Sequence, residues 1–148
     1  MMKVFIGADH RGFELKGKLI EWLKDNDYQT EDCGAFQPNP TDDYPDFAKA
    51  VAERVASEEG SRGIVICGSG AGVNIVANKI KGVRCSVCFD VKQVSDGRQH
   101  DDLNVLALAS NFIDEQTAKH LVKTFLETAY EPTENHNRRI EKIKSLEN

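Results

Sequence analysis

Five short runs typical of β-strands are spaced along the whole 148-residue chain, and apolar residues dominate four of them. In most of these runs consecutive residues are apolar, which is typical of strands buried on both faces of a parallel sheet. The second run is more polar and indicates a weaker strand. The five predicted strands cover residues 3–9, 28–34, 63–67, 83–89 and 104–110.

Helical patterns separate these runs. Phe13, Leu15, Leu19 and Leu23 form an apolar stripe with helical spacing. The segment 90–102 is interpreted as polar, without an assigned element. Strands that alternate with helices imply an α/β fold in which helices cover both faces of a five-stranded parallel sheet. Further helices are predicted from about Pro45, over 73–80, from near Asp114 and after Pro132.

The last predicted helix has an apolar side of its own. Ile140, Ile143 and Leu146 recur on one side of it, so this helix must pack on an apolar surface. That surface belongs either to the same domain or to a second subunit, and the sequence leaves both alternatives open. We interpret residues 1–148 as a single domain whose C-terminal part, 132–148, is a candidate dimer-docking helix.

Composition and charge restrict the classes of partner. Charged residues make up 29% of the chain, both signs are interspersed and the net charge is −5, so no basic surface typical of nucleic-acid binding is expected. The N-terminal apolar run is too short for a signal peptide, and no other run has the length of a membrane span. We expect a cytoplasmic protein that binds small molecules or other proteins, and neither nucleic acid nor a membrane.

The chain contains the cysteines Cys33, Cys67, Cys85 and Cys88. The last two form a C-x-x-C motif, which can bind zinc or take part in redox chemistry. They fall in a predicted strand, however, where an odd separation directs the two side chains to opposite faces. No second C-x-x-C and no nearby histidine pair accompanies them, so we interpret them as buried apolar residues and expect no metal.

Three polar clusters lie beside predicted strands. In open α/β sheets, ligands bind near the carboxyl ends of the strands, where the strand order reverses. Asp9 and His10 follow the first strand, residues 67–72 (CGSGAG) follow the third, and residues 97–102 (GRQHDD) precede the fifth. We expect these clusters to converge on one site.

The glycine-rich cluster is suited to an anion. Gly68, Gly70 and Gly72 allow a sharp turn and leave backbone N–H groups free at the start of the next helix, whose positive dipole end favours a phosphate, an enediolate or a thiolate. A thiol at Cys67 would feel the same field and is a candidate base or nucleophile. Ser69 can hydrogen-bond within the loop and relay a proton.

Other interpretations of this loop are weaker. A dinucleotide fingerprint would have G-x-G-x-x-G spacing and would open the fold, although Asp90 ends the next strand at a distance suited to a ribose contact. The Gly-Lys-Ser/Thr of a P-loop is missing, and Cys67 and Ala71 occupy the outer positions of a G-x-S-x-G nucleophile elbow. A receiver-type signalling domain would have an acidic residue in place of Cys67.

Five segments carry a resemblance that spans nearly the whole chain. The central one, in which a cysteine precedes the glycines and Ala-Asn-Lys follows them, is the most specific. In chain order the segments are GADHRGFELK, DYPDFAKAVAE, RGIVICGSGAGVNIVANKIKGVRC, RQHDDLNVLAL and RRIEKI. The sequence resembles the ribose-5-phosphate isomerase B family, which also includes subunits of galactose-6-phosphate isomerase.

The resemblance implies a Rossmann-like three-layer αβα sandwich that works on a small-molecule sugar phosphate without a metal or a nucleotide cofactor. It also implies a homodimer or homotetramer with active sites at the subunit interfaces. The C-terminal helix would then have a neighbouring subunit on which to dock.

The resemblance also implies roles for individual residues. Aldose–ketose isomerisation needs a base, donors that hold the enediolate oxygens, and an acid–base pair that opens the sugar ring. Cys67 would be the base, and Ser69 stands in place of a common threonine and keeps its hydroxyl. His100, assisted by Asp9, would open the ring. The implied substrate contacts are His10, Gly68, Gly70, Ala71, Gly72, Asp101 and Arg139, the last reaching in from a partner chain.

The chain departs from the family pattern where phosphate is expected. Asn111 and Asn135 stand at positions that are commonly arginine, which leaves Arg139 as the clearly placed phosphate-facing arginine. Each lost charge-assisted contact would cost about 1.5–3 kcal/mol of phosphate affinity. Compensation would have to come from another cation, such as Arg11 or Arg138.

We therefore expect an aldose–ketose isomerase that interconverts ribose 5-phosphate and ribulose 5-phosphate through a cis-enediolate. Asp101, in place of a usual asparagine, adds a negative charge beside His100 that would repel a nearby phosphate. Galactose 6-phosphate, allose 6-phosphate or a non-phosphorylated aldose are the alternative substrates. A non-catalytic sugar-phosphate-binding module is the alternative from another class, but binding alone would not require Cys67, Ser69 and His100 together.

Overall fold

Five parallel strands form one sheet with helices on both faces in the computed structural model, which describes residues 2–148. The strand order is β2-β1-β3-β5-β4 and every neighbouring pair is parallel, which confirms the predicted α/β fold. None of the helices in this part of the chain combines the length and the apolar composition needed to cross a membrane. In chain order the elements are β1 (Lys3–Ala8), α1 (Phe13–Asp25), β2 (Gln29–Asp32), α2 (Tyr44–Ser57), β3 (Arg62–Cys67), α3 (Ala71–Ala77), β4 (Cys85–Val87), α4 (Val91–Asp101), β5 (Val105–Ala109), α5 (Glu115–Glu127) and α6 (Glu134–Lys144).

The sheet separates two hydrophobic layers because successive strand side chains point to opposite faces. Ile66 packs in the layer shared with α1, α4 and α5, whereas the next residue, Cys67, packs in the layer shared with α2 and α3. Cys85 and Cys88 likewise lie in different layers, as their spacing predicts. The three layers leave the ends of the central strands as the place for a site.

Backbone hydrogen bonds tie together the carboxyl ends of β1, β3 and β5. The Asp9 N–H donates to the carbonyl of Ile66 at 3.3 Å, and the Ser110 N–H donates to the carbonyl of Cys67 at 2.9 Å. The Asn111 N–H donates to the carbonyl of Gly68 at 3.0 Å. The chain leaves β1 toward β2 on one side and returns to β3 on the other, so this edge is also the switch point at which α/β proteins bind ligands.

The polar segment 90–102 forms a helix, α4, that the sequence analysis did not assign. The Asp90 side chain caps it by accepting from the Lys92 N–H at 3.2 Å, and Lys92 pairs with Asp96 one turn later. Its buried residues are Val94 and Arg98. Two buried positions in eleven give too weak an apolar stripe for the pattern to indicate a helix.

The C-terminal helix α6 begins after Pro132, as predicted, and is capped by the Thr133 side chain, which accepts from the His136 N–H at 3.1 Å. It lies against α4 and buries Ile140. Ile143 and Leu146 of the same apolar side remain 39% and 83% exposed. Docking of this side on a partner subunit therefore stays a prediction.

Candidate active site

A cleft of about 410 Å³ opens at the carboxyl edge of the sheet. Other depressions on the surface have similar volumes, so the side chains rather than the size distinguish this one. Its walls come from residues 9–11 after β1, residues 42–44 at the start of α2, residues 67–69 and Gly72 around the β3–α3 loop, and Asn111 after β5.

Cys67 ends β3 in this cleft and is 5% exposed. Of the four cysteines, all within residues 2–148, it is the one that lines the cleft. Ser69 lies two residues further on, is exposed, and accepts from the Ala71 N–H at 3.2 Å through its hydroxyl. The loop therefore presents a thiol and a hydroxyl to the same space.

Gly70 and Gly72 of this loop are required for different structural reasons. Gly70 has a φ of +73°, a backbone conformation that side chains other than glycine rarely adopt. A Cβ on Gly72 would lie 2.5 Å from Cε1 of Tyr44, so glycine at 72 allows the Tyr44 ring to pack on the loop. The ring forms one wall of the cleft.

Asp9 is buried beside the thiol-bearing loop, with 5% of its surface exposed. Its Oδ1 accepts from the N–H groups of Arg11 at 3.0 Å and Gly12 at 3.2 Å. These bonds use one carboxylate oxygen and fix the carboxylate in the wall of the cleft.

His10 is oriented by Asp42, a residue that the sequence analysis did not single out. Oδ1 of Asp42 accepts from the His10 N–H at 3.0 Å and lies 2.7 Å from Nδ1 of its ring. Since Nδ1 is engaged, Nε2 is the ring nitrogen left for other contacts. Asp42 Oδ2 is buried without a hydrogen-bond partner within residues 2–148. The 32 residues that separate the pair explain why no local pattern indicated it.

Asp9, His10 and Asp42 are the groups in this cleft that could hold a metal ion. One ligand atom from each of Asp9, His10 and Asp42 lies within 4.8 Å of the others, within the described part of the chain. In this arrangement the close atoms of His10 and Asp42 are joined by a hydrogen bond.

The third predicted cluster does not line this cleft. α4 runs from the carboxyl edge to the amino edge of the sheet, so His100 and Asp101 at its end lie near the start of β5. They line a separate cleft of about 520 Å³. The expectation that the three clusters converge within one chain is wrong, because a segment before a parallel strand and a segment after it lie at opposite edges of the sheet.

His100 has a neighbour on α6 that the sequence analysis missed. The rings of His100 and His136 have centroids 4.8 Å apart and an interplanar angle of 38°. Nδ1 of His136 lies 2.7 Å from the carbonyl oxygen of Glu131. Arg139, three residues further along α6, is exposed and does not line the cleft that contains Cys67. Within one chain, His100 and Arg139 are therefore separate from the thiol.

The remaining cysteines are poor candidates for acid–base chemistry. Burial raises the pKa of the Cys33 thiol to about 11, and burial also raises the pKa values of Cys85 and Cys88. Thiols with raised pKa values stay protonated and weakly nucleophilic near neutral pH.

Comparisons with known proteins agree on one family along nearly the whole chain. A family model described as Ribose/Galactose Isomerase matches residues 4–143. Ribose-5-phosphate isomerase B from Mycobacterium tuberculosis is 37% identical over 146 residues, which cover 99% of this chain and 90% of that protein. The Clostridium thermocellum ribose-5-phosphate isomerase B structure has a TM-score of 0.94 and 40% identity, covering 98% of this chain and 97% of the other. The crystal structure of the Mycoplasma genitalium ribose-5-phosphate isomerase B with bound ribulose 5-phosphate has a TM-score of 0.94 and 39% identity, covering 98% and 95%.

Proposed function

The chain belongs to the ribose/galactose isomerase family, and from this premise we propose that it is an aldose–ketose isomerase that interconverts ribose 5-phosphate and ribulose 5-phosphate. One observation carries the proposal: a cleft that combines a thiol, a carboxylate and a histidine occurs in a chain that is similar, over nearly its full length, to ribose-5-phosphate isomerase B proteins. The relative from Mycoplasma genitalium binds ribulose 5-phosphate.

Cys67 is the base in this proposal. Its thiolate removes the proton from C2 of the open-chain aldose, the C1–C2 double bond forms, and the negative charge moves to O1. The thiol then returns the proton to C1, while O2 passes its proton to O1 and becomes the ketone oxygen. The reaction moves protons between adjacent carbons and oxygens and has no net redox change. A base held in the wall of the cleft is what this chemistry needs.

The surrounding groups stabilise the enediolate. Backbone N–H groups of residues 68–72, including Gly68, Gly70, Ala71 and Gly72, donate to the developing negative charge, and such pre-oriented donors commonly lower the barrier by about 3–4 kcal/mol. The Ser69 hydroxyl relays a proton between the substrate oxygens.

Ring opening needs a second group, because the sugar phosphate exists mainly as a cyclic form that has no free carbonyl. His100 of a partner subunit, working with Asp9 of this chain, opens the ring in our proposal. Arg139 of the partner contacts the phosphate, with His10 beside it, and Asp101 lies next to His100 at the substrate. The separation of His100 and Arg139 from Cys67 within one chain, and the exposure of Ile143 and Leu146, support a homodimer or homotetramer.

The first experiment measures conversion of ribose 5-phosphate by the wild type, Cys67→Ala and Cys33→Ala. Both variants remove one thiol, but Cys33 does not line the cleft. We expect Cys67→Ala to lose turnover by at least about 1,000-fold while it retains ligand-induced stabilisation, since removing a group that acts in the transition state affects kcat more than binding. Cys33→Ala should keep wild-type activity. Unchanged turnover in Cys67→Ala would rule out the assigned base.

The charge of the cleft supports a second candidate substrate class. Asp9, Asp42 and Asp43 line the cleft together with the neutral Asn111, so its walls are acidic. An aldose without phosphate would avoid repulsion from these carboxylates. Parallel assays with galactose 6-phosphate, allose 6-phosphate, ribose and allose distinguish phosphorylated from neutral substrates. A higher kcat/KM for the neutral sugars would show that ribose 5-phosphate is not the preferred substrate.

A further inference from the structure

The cleft carries three carboxylates, and the phosphate group of a substrate would add roughly two negative charges at neutral pH. Asp9, Asp42 and Asp43 all line it. Among the residues of 2–148 that form its walls, Arg11 is the one with a permanent positive charge. His10 carries no permanent charge, and Nδ1 of its ring is already engaged by the Asp42 carboxylate. The charge inventory thus selects one side chain for any anion that this chain binds on its own.

The backbone of Arg11 is held in the cleft wall from both sides. Its N–H donates to Oδ1 of Asp9 at 3.0 Å, and its carbonyl accepts from the Ser110 hydroxyl at 2.8 Å. These bonds connect the ends of β1 and β5 through Arg11. The backbone position from which the side chain extends is therefore fixed. Binding a ligand then orders only the side-chain rotamers of Arg11.

The side chain lies over the thiol-bearing loop beside Asn111. A Cβ placed on Gly68 would lie 2.9 Å from Cδ of Arg11 and 2.7 Å from Nδ2 of Asn111. Both side chains thus cover the residue that follows Cys67, and the lack of a side chain at Gly68 lets them approach. Because both side chains lie over Gly68, their guanidinium and amide groups provide a charged and a neutral hydrogen-bond donor for the same anion.

The Arg11 guanidinium makes no hydrogen bond or ion pair with another group in the described residues, 2–148. Arg54, Arg84 and Arg98, in contrast, have carboxylate partners at side chains of the same chain. Arg138 bonds Asn135 on α6, away from this cleft. An exposed, unpaired guanidinium has lost none of its donors to internal contacts, so all of them are available to a ligand.

We propose that Arg11, beside Asn111 over Gly68, binds the phosphate group of the substrate. The inference rests on the proposed function in that it assigns a phosphate to the substrate of the same cleft. It makes Arg11 a specificity-determining residue, which offsets the three carboxylates and selects phosphorylated over neutral sugars. Asn111 acts as the neutral donor next to it.

The test compares the full-length wild type with Arg11→Gln, Arg11→Lys and the control Lys24→Gln. Lys24 is exposed at the opposite end of α1, so its replacement changes the net charge equally without touching the cleft. Steady-state kinetics use ribose 5-phosphate with inorganic phosphate as competitor. For Arg11→Gln we expect KM and the phosphate inhibition constant to rise by about 10- to 100-fold with kcat nearly unchanged, the usual range for a charge-assisted hydrogen bond. Arg11→Lys should recover part of the loss, and Lys24→Gln should match the wild type.

Titration of each protein with inorganic phosphate, monitored by calorimetry, measures phosphate binding directly. This measurement tests the role of Arg11 without relying on the proposed reaction. If the wild type does not convert ribose 5-phosphate, the proposed function fails, yet weaker phosphate binding by Arg11→Gln would still support the role of Arg11. Equal KM and equal phosphate affinity in the wild type and Arg11→Gln would overturn it. Equal effects in Arg11→Gln and Lys24→Gln would also overturn it, because they would reflect only the overall charge.

Discussion

Gly12, the N-cap residue of α1, and Gly17, inside the helix, should respond in opposite ways to replacement by alanine. Gly12 is buried at the start of the helix, and a Cβ there would lie 2.6 Å from Cγ2 and 2.8 Å from Cβ of Ile66. Gly17 is exposed one and a half turns later, and a Cβ there would meet nothing within 4 Å. Neither glycine has a positive φ, so alanine is conformationally allowed at both positions. A loss of stability at position 12 would therefore come from the clash with Ile66, which position 17 lacks.

The contact at Gly12 cannot be relieved by rotating a flexible side chain. Ile66 is fully buried on β3, and its Cβ is attached directly to the backbone, so α1 must move away from the sheet. We expect Gly12→Ala to cost about 1–3 kcal/mol, the usual range for inserting one methyl group into a packed core. For a chain of this size the melting temperature should fall by about 2–12 °C. Gly17→Ala should instead gain about 0.5–1 kcal/mol, because alanine loses less backbone entropy in a helix.

The displacement at Gly12 should also reach the cleft. The Gly12 N–H donates to the backbone carbonyl of Asp9 at 3.1 Å and to its Oδ1 at 3.2 Å, so moving α1 disturbs the carboxylate. Urea denaturation and thermal melts at one fixed protein concentration measure stability, since melting of an oligomer depends on concentration. The isomerase assay should show lower activity for Gly12→Ala and wild-type activity for Gly17→Ala. A Gly12→Ala protein as stable as the wild type would refute the steric argument, and so would a destabilised Gly17→Ala.

Two further substitutions or treatments test separate features of the site and its surroundings. Because burial raises the pKa of Cys33 to about 11, its alkylation by iodoacetamide at pH 8 should be roughly 100-fold slower than that of a free thiol and should accelerate as the pH approaches 11. Peptide mapping measures this rate, and rapid modification at pH 8 would contradict the buried environment. Gly72→Ala would place a Cβ 2.5 Å from Cε1 of Tyr44, whose exposed ring can turn away, so we expect KM to rise while the free energy of unfolding changes by less than about 1 kcal/mol. A matched fall in stability and activity would show instead that the loop itself refolds.

The sequence could predict the centre of the sheet because β1, β3 and β5 are buried on both faces and consist of nearly continuous apolar runs. All five predicted strands occur, although β4 is limited to Cys85–Val87 within the predicted 83–89. That strand lies at the edge of the sheet and pairs only with β5. Its ends therefore lack the backbone hydrogen bonds that a second neighbouring strand would provide. Elements whose stability comes from burial are visible in the pattern of apolar residues.

The elements that the sequence did not reveal are stabilised by polar contacts or by distant partners. α4 depends on the Asp90 cap and on the Lys92–Asp96 pair more than on an apolar stripe. Asp42 reaches the site through a hydrogen bond to a residue 32 positions away, which no local spacing can indicate. The proximity of His100 and His136 likewise depends on how α6 packs against α4.

The cleft that contains Cys67 and the separate cleft that contains His100 could be joined only by a second copy of the chain, and subunit mixing tests this directly. In the proposed homodimer, Cys67→Ala and His100→Ala should each be inactive on their own. After the two are unfolded together and refolded, about half of the dimers are mixed, and each mixed dimer has one site with both groups intact, so activity should recover to about a quarter of the wild type.

Mixing Cys67→Ala with Asp9→Ala is the matched control, because these two residues line the same cleft of one chain. Every site of that mixed dimer lacks one of the two groups, so no activity should return. Recovery in the first mixture and not in the second would require that His100 acts on the cleft of its partner. Failure of both mixtures, with mixed dimers demonstrated by mass spectrometry, would mean that His100 does not complete a shared site.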